Sequence, residues 1–296
     1  MPQQTEQWRE MLINWLIKIS GYSAIVFVTL IFFFLIRESL PGFSPETFSR
    51  LAGSRWYPIE QYYGLAPLIA GSIMVTLGAA LVAIPLGLGT AIFIAEIAPR
   101  WVREILKPLV EILAGLPSVV LGFLGILSLS PWVRETMNLP TGLTAFSGSL
   151  LLGMTSLPTI VSVAEDALDA VPRSYRDASL ALGATELQTI FLVTLPAARS
   201  GVFTAVMLGL GRAIGETIMV MMVTGNAAMI PNSLFSPVRT MTATIAAEMG
   251  EVAKGSEHYH VLFLIGLTLF VISLLVNLTA SSVIMRQQKR AERVLS

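Results

Sequence analysis

An all-α fold that crosses a membrane about six times is predicted by three features of this 296-residue chain. Hydrophobic residues make up 54% of it and charged residues only 13%, whereas ordinary soluble domains carry about 25% charged residues. The mean hydropathy is +0.73. The charges are also bunched, leaving charge-free runs at 19–36, 61–95, 112–133, 136–164, 217–238 and 258–285. A bilayer core about 30 Å thick needs roughly 20 apolar helical residues. Spans are therefore expected near 14–36, 66–94, 109–130, 143–164, 200–224 and 261–284.

The first span follows a ten-residue start with no basic cluster and no small-residue cleavage pattern, so it reads as a retained membrane anchor. With the outer loop after it, it forms a unit over 1–60, and the other five spans form a unit over 61–296. The second, third and fourth spans come straight from the charge-free runs. The fifth has to be assembled across Arg212 and Glu216 and to continue helically into 217–224, which makes it the one charged span. Its glycines, Gly201, Gly209, Gly211 and Gly215, suit close helix packing. The sixth begins after His258 and His260, which sit at its entrance, where an interfacial role fits better than metal binding.

Six spans put both termini on one side. Twelve basic residues, from Arg9 and Lys18 to the Arg286–Arg293 cluster, fall on the side of the termini, and six fall opposite on longer segments. By the positive-inside rule both termini are cytoplasmic. A net charge of zero suggests neither nucleic-acid binding nor an acidic tail, and the absence of cysteine excludes disulfides and thiolate chemistry.

Two connections carry information. The outer one, about 225–258, holds Pro231, Pro237 and a helix-like stretch from Thr240 to Ala253. The inner one, 165–199, is long and patterned: Pro172 opens a helix, Asp177-Ala178-Ser179 follow, Gly183 breaks it, and Val193-Thr194-Leu195-Pro196 lead back to the membrane. That order describes two short surface helices around a glycine, which suits either docking or a solvated connector.

Arg212 lies near the middle of its predicted span, where a charge costs roughly 2.5–3.5 kcal/mol on insertion scales. Glu216, four residues on, would share a helical face with it and pair. The pair is either a structural lock or the lining of an anion pathway. Catalytic or ATPase signatures are missing: Lys18, Lys107, Lys254 and Lys289 are followed by Ile, Pro, Gly and Arg, so none closes a phosphate-cradling loop. The chain reads as a non-enzyme with no cofactor.

The inner connection resembles the EAA motif of binding-protein-dependent ABC importer permeases. Asp177, Ala178 and Ser179 stand for E-A-A, Gly183 for the motif glycine, and Val193, Leu195 and Pro196 for I-x-L-P. A wider resemblance, from about Tyr63 to Met285, is closest to phosphate importer permeases of the PstC type. Pro67–Ser72, Ile84–Gly89, Ala114–Val120, Leu157–Ile160, Glu165–Leu168, Gly211–Thr217 and Val223–Asn226 carry it. The resemblance implies a type I importer permease fold in the cell membrane, with 61–296 as the permease domain. Asp177, Ala178, Ser179, Gly183, Leu195 and Pro196 would couple to the ATPase, and Arg212 and Glu216 would line the pathway. It further implies a second homologous permease subunit of the PstA type and two cytoplasmic ATPase subunits. An outer phosphate-binding protein would dock on 37–65 and 225–258 and select the cargo. Permeases for molybdate, tungstate or sulfate share much of this architecture, and a stand-alone secondary transporter is the reading without partners.

Overall fold

The computed structural model describes residues 2–42 and 50–295, with side chains for 10–42, 50–279, 281 and 282. Residues 43–49 of the first outer loop, and the side chains of Arg9, Arg286, Lys289, Arg290 and Arg293, lie outside the described residues.

The helices in chain order are α1 (Pro2–Ser39), α2 (Ala66–Ile92, prolonged by a wide turn, Phe93–Ile97), α3 (Arg100–Gly115), α4 (Ser118–Leu124), α5 (Ser130–Thr136), α6 (Ala145–Asp169), α7 (Arg173–Ala181), α8 (Glu186–Thr189), α9 (Leu195–Ala197), α10 (Arg199–Gly215), α11 (Ile218–Val223), α12 (Met241–Glu248) and α13 (Glu257–Leu295). Among the described residues four helices are long and apolar enough to cross a membrane alone, and two bent pairs, Arg100–Gly115 with Ser118–Thr136 and Glu186–Ala197 with Arg199–Gly215, bring the total to six if each pair is one span. The spans predicted near 14–36, 66–94, 143–164 and 261–284 are present as single helices and the third as a bent pair. In place of the predicted fifth span, 200–224, the bent pair covers 186–215, turns by 74° between Ala197 and Arg199 and so takes in part of the expected inner connection.

The predicted third span, 109–130, is part of a longer bent element. It turns by 92° between α3 and the helix over Ser118–Thr136. Pro117 lacks an N–H and holds Leu116 extended, at φ −68° and ψ 131°, because proline disfavours helical backbone in the residue before it. The helix-like stretch 240–253 is a shorter helix, α12, capped by Thr240 through a bond from the Ala243 N–H.

The core is a three-helix contact of α2, α6 and α10, brought close by missing side chains. A Cβ on Gly78 would lie 2.3 Å from Ser149 Oγ, and one on Gly153 would lie 2.9 Å from Val82 Cβ. Ile160 is fully buried and is held from two sides. A Cβ on Gly87 would meet its Cγ2 at 2.8 Å, and one on Gly209 would meet its Cγ1 at 2.4 Å. Small residues are how helices gain dispersion contact where lipid removes the hydrophobic drive between them. Since Ile160 cannot retreat from either side, Gly209→Ala is expected to destabilise the fold by about 1–3 kcal/mol, the usual cost of overpacking. Gly211→Ala, with nothing within 4 Å, is expected to keep the parent melting temperature in detergent; equal melting points for the two variants would refute the wedge.

At the outer end, a two-stranded ribbon, β1 (Trp56–Tyr57) and β2 (Tyr62–Tyr63), lies against α12 and α13. Glu248 ties this end together. It accepts from Trp56 Nε1 at 3.1 Å and Arg239 Nη1 at 2.6 Å and lies 2.8 Å from His258 Nε2. His260 Nδ1 lies 2.7 Å from the Glu38 carbonyl oxygen. Both histidines therefore have interfacial partners on neighbouring segments.

Candidate functional site

Two regions carry the chemistry that the sequence singles out. The first is a break in the fifth span. The predicted continuous helix through Arg212 and Glu216 does not exist: α10 stops at Gly215, and Glu216 is extended, at φ −66° and ψ 132°. Thr217 follows at φ −121° and ψ −66° before α11 starts. Side chains satisfy the opened backbone. Thr217 Oγ1 donates to the Gly215 carbonyl at 3.1 Å, Glu216 Oε1 accepts from the Thr217 N–H at 3.2 Å, and Thr242 Oγ1 donates to the Glu216 carbonyl at 3.0 Å. Irregular backbone at membrane depth survives only with such partners.

The break also separates the expected ion pair. Glu216 no longer follows Arg212 around one helical turn, and among the described residues no ion pair joins them. Arg212 reaches only Thr159 Oγ1, at 3.5 Å, a marginal length. The face of α10 that carries it, with Leu208, Gly211 and Gly215, is exposed, whereas Ala205, Gly209 and Ala213 are buried. Gly201 and Gly209 are packing glycines as expected. Gly211 and Gly215 are not: a Cβ on either would meet nothing within 4 Å. A stripe holding a fixed cation between two bare glycines is a poor lipid face and a good lining for water or an anion.

This break lies beside the bend of the third span. A Cβ on Gly122 in α4 would approach Met222 Sδ at 2.7 Å and Met219 Cα at 3.2 Å in α11. Both broken spans therefore put non-helical backbone, 116–117 and 216–217, at the start of two packed half-helices. Pro117 is the signal in the sequence for the first break; Gly215-Glu216-Thr217 carries no comparable mark, since the same Gly-x-Thr pattern at Gly266-Leu267-Thr268 lies inside α13.

The second region is the inner segment. α6 runs on to Asp169, so Glu165 belongs to the helix and the connection proper begins at Ala170. α7 starts after Pro172 and holds Asp177 and Ala178, both exposed. Gly183 takes φ +88°, a left-handed conformation that L side chains resist, and so it reverses the chain. A capping box, Thr185 with Gln188, starts α8. Ser179 is buried and accepts from Thr189 Oγ1 at 3.0 Å, bracing the two short helices from inside. Leu195 packs against Leu168, Val171 and Ala198, and Pro196 is exposed. The spacing of the motif thus divides into an outer face, Asp177, Ala178 and Gly183, and an inner one, Ser179 and Leu195. Apolar side chains crowd the outer face: Leu182 is 89% exposed and Leu187 61%.

Ion pairs unforeseen in the sequence join α3 to the end of α6 and tie the inner segment to α2. Glu165, only 1% exposed, accepts from Arg103 at 3.1 Å and Lys107 at 3.3 Å, and Arg103 also pairs with Asp169. Arg176 pairs with Glu96. The hydrogen bond to Glu96 raises the Arg176 pKa above the ordinary guanidinium value, against the opposing effect of burial, so the side chain stays charged.

A family described as "Binding-protein-dependent transport system inner membrane component" matches residues 83–291. The probable ABC transporter permease protein YqgH of Bacillus subtilis is 43% identical over 236 residues, covering 79% of this chain and 76% of that protein. The phosphate transport system permease protein PstC of Mesorhizobium japonicum is 35% identical, covering 86% and 84%. That of Haemophilus influenzae is 32% identical, covering 93% and 95%. Among solved structures, the inward-facing MetNI methionine ABC transporter superposes with a TM-score of 0.58 at 18% identity, covering 78% of this chain and 99% of that one.

Proposed function

Because the chain belongs to the family of binding-protein-dependent transport system inner membrane components, a family of ABC importer permeases, we propose that it is the permease subunit of an ATP-driven phosphate importer. The observation that carries this reading is likeness over 84% and 95% of the length of two proteins described as phosphate transport permeases. The geometry supports it with an unpaired Arg212 on an exposed stripe and an inner segment built for docking.

In this reading the pathway forms between the Arg212 stripe and a second homologous permease of the PstA type. Arg212 attracts the anion without a tight cage, because a conduit must release its cargo. Glu216 stays close by on the broken backbone, where its charge opposes overstay of the anion. Two cytoplasmic ATPase subunits dock on the segment around Asp177, Ala178 and Gly183. ATP binding closes them and draws the segments together, the bundle opens outward to receive phosphate from an outer binding protein, and hydrolysis resets it. The chain itself is no enzyme; hydrolysis belongs to the ATPase.

The test is ATP hydrolysis by the complex of this chain with its neighbouring permease, ATPase and binding protein in liposomes. Stimulation by phosphate, and not by molybdate, tungstate or sulfate, is the expected result. Stimulation by another oxyanion alone would replace the cargo, and transport that needs neither ATP nor partners would replace the importer.

A further inference from the structure

The two ends of the importer reading, the ATPase-facing segment and the membrane helices, meet at one side chain. Arg176 sits in α7 directly before Asp177 but points the other way. Its guanidinium donates from Nε to Glu96 Oε2 at 3.0 Å and from Nη2 to Glu96 Oε1 at 2.5 Å. It also donates from Nη1 to the Val171 carbonyl at 2.7 Å and from Nη2 to the Leu168 carbonyl at 2.9 Å. Glu96 lies in the wide turn that ends α2, and Leu168 lies in the last turn of α6.

One planar group therefore joins three elements: α7 that carries it, α2 through a carboxylate, and the end of α6 with the connection after it through the Leu168 and Val171 carbonyls. The contact is shielded, with the Glu96 side chain 7% exposed and that of Arg176 20%. A bidentate fork resists rotation as well as separation, which a single ammonium contact does not. α2 and α6 also approach each other closely, through Gly78, Gly87 and Gly153. α7 is thereby tied to a closely packed pair of helices, of which α6 carries Thr159 beside Arg212.

We propose that Arg176 and Glu96 are positioning residues that form the strut conveying movement of the docking segment to α2 and α6, so that hydrolysis is matched to transport. The strut rests on the importer reading. It makes a specific demand: loss of the fork should leave docking, since Asp177, Ala178 and Leu182 are exposed elsewhere on the segment, while hydrolysis continues without its share of transport.

Arg176→Lys keeps the charge but cannot span both carboxylate oxygens and two carbonyls. Glu96→Gln combined with Arg176→Gln removes both charges, leaves no buried ion unpaired, and serves if the lysine variant fails to assemble. In liposomes holding the full complex, each is expected to retain most of the phosphate-stimulated hydrolysis while phosphate moved per ATP falls about tenfold. The chain has no cysteine, so spin labels placed at Ser174→Cys and Arg100→Cys report directly on the strut. Their separation should stay constant through the ATP cycle in the parent and change or broaden on ATP binding in the variants. A parent ratio of transport to hydrolysis in assembled variants, or a separation insensitive to ATP in them, would overturn the strut. Failure of the importer reading is distinct from either, because the parent complex would then show no phosphate-stimulated hydrolysis.

Discussion

Arg212→Gln is expected to lower phosphate uptake about 10- to 100-fold while leaving the amount of assembled complex unchanged. The size follows from the interaction lost: hydrogen bonds to charged groups contribute about 1.5–3 kcal/mol, and about 1.4 kcal/mol is a factor of ten. The unchanged assembly follows from the break at 216–217. Had Arg212 and Glu216 formed the i,i+4 pair expected on a continuous helix, removing one would strand the other's charge in the membrane and cost about 3–5 kcal/mol. Arg212 is instead exposed on its stripe, and among the described residues its one hydrogen-bond partner is Thr159, at 3.5 Å. Glu216→Gln should preserve the fold too, since its side-chain oxygen can still accept from the Thr217 N–H. Uptake of labelled phosphate, normalised to complex recovered from the membrane, decides the matter. Full uptake by Arg212→Gln would return the arginine to a purely structural role, and loss of the complex would show that a partner charge on another subunit holds it.

Gly183→Val should separate the ATPase from the permease without harming the membrane helices. At φ +88° a β-branched side chain is an outlier, and left-handed backbone costs an ordinary residue about 1–2 kcal/mol. The chain would relieve that strain by reopening the turn between α7 and α8, tilting Leu182 and Asp177 away from any surface made to receive them. Space is not the cause, because nothing lies within 4 Å of a Cβ at this position. Co-purified ATPase is expected to fall about tenfold or more, the effect of losing one anchoring residue at an interface, with the melting transition of the isolated permease nearly unmoved. Undiminished co-purification would remove the segment from the coupling role. Leu182→Asp offers an independent check, since it places a charge where 89% of an apolar side chain is exposed and leaves the turn geometry alone.

These expectations differ in where their information lies. Membrane crossing was legible in the sequence, because a bilayer demands apolar length and the charge-free runs supply it without reference to any other segment. The inner turn was legible down to Gly183, since Pro172, Gly183 and Thr185 act on their own backbone within a few residues.

The breaks were not legible in that way. Apolar composition continues straight through 116–117, and at 216–217 the charges of Arg212 and Glu216, four residues apart, suited a continuous helix as well as a broken one. Whether a helix continues there depends on who satisfies the opened backbone, and at the second break one of the donors is Thr242, 26 residues further on. The roles of the glycines were decided likewise: Gly209 and Gly211 sit on the same helix, yet only Gly209 meets Ile160 of α6. Arg176 and Glu96 are 80 residues apart, and nothing local in either marks it as the other's partner. The sequence by itself determined that the chain crosses a membrane several times and where the inner segment turns, because each of these is settled by solvation or by backbone a few residues long. Only the tertiary structure decided where the spans break, which glycines pack and which charges pair, because each depends on a group delivered from a distant part of the chain.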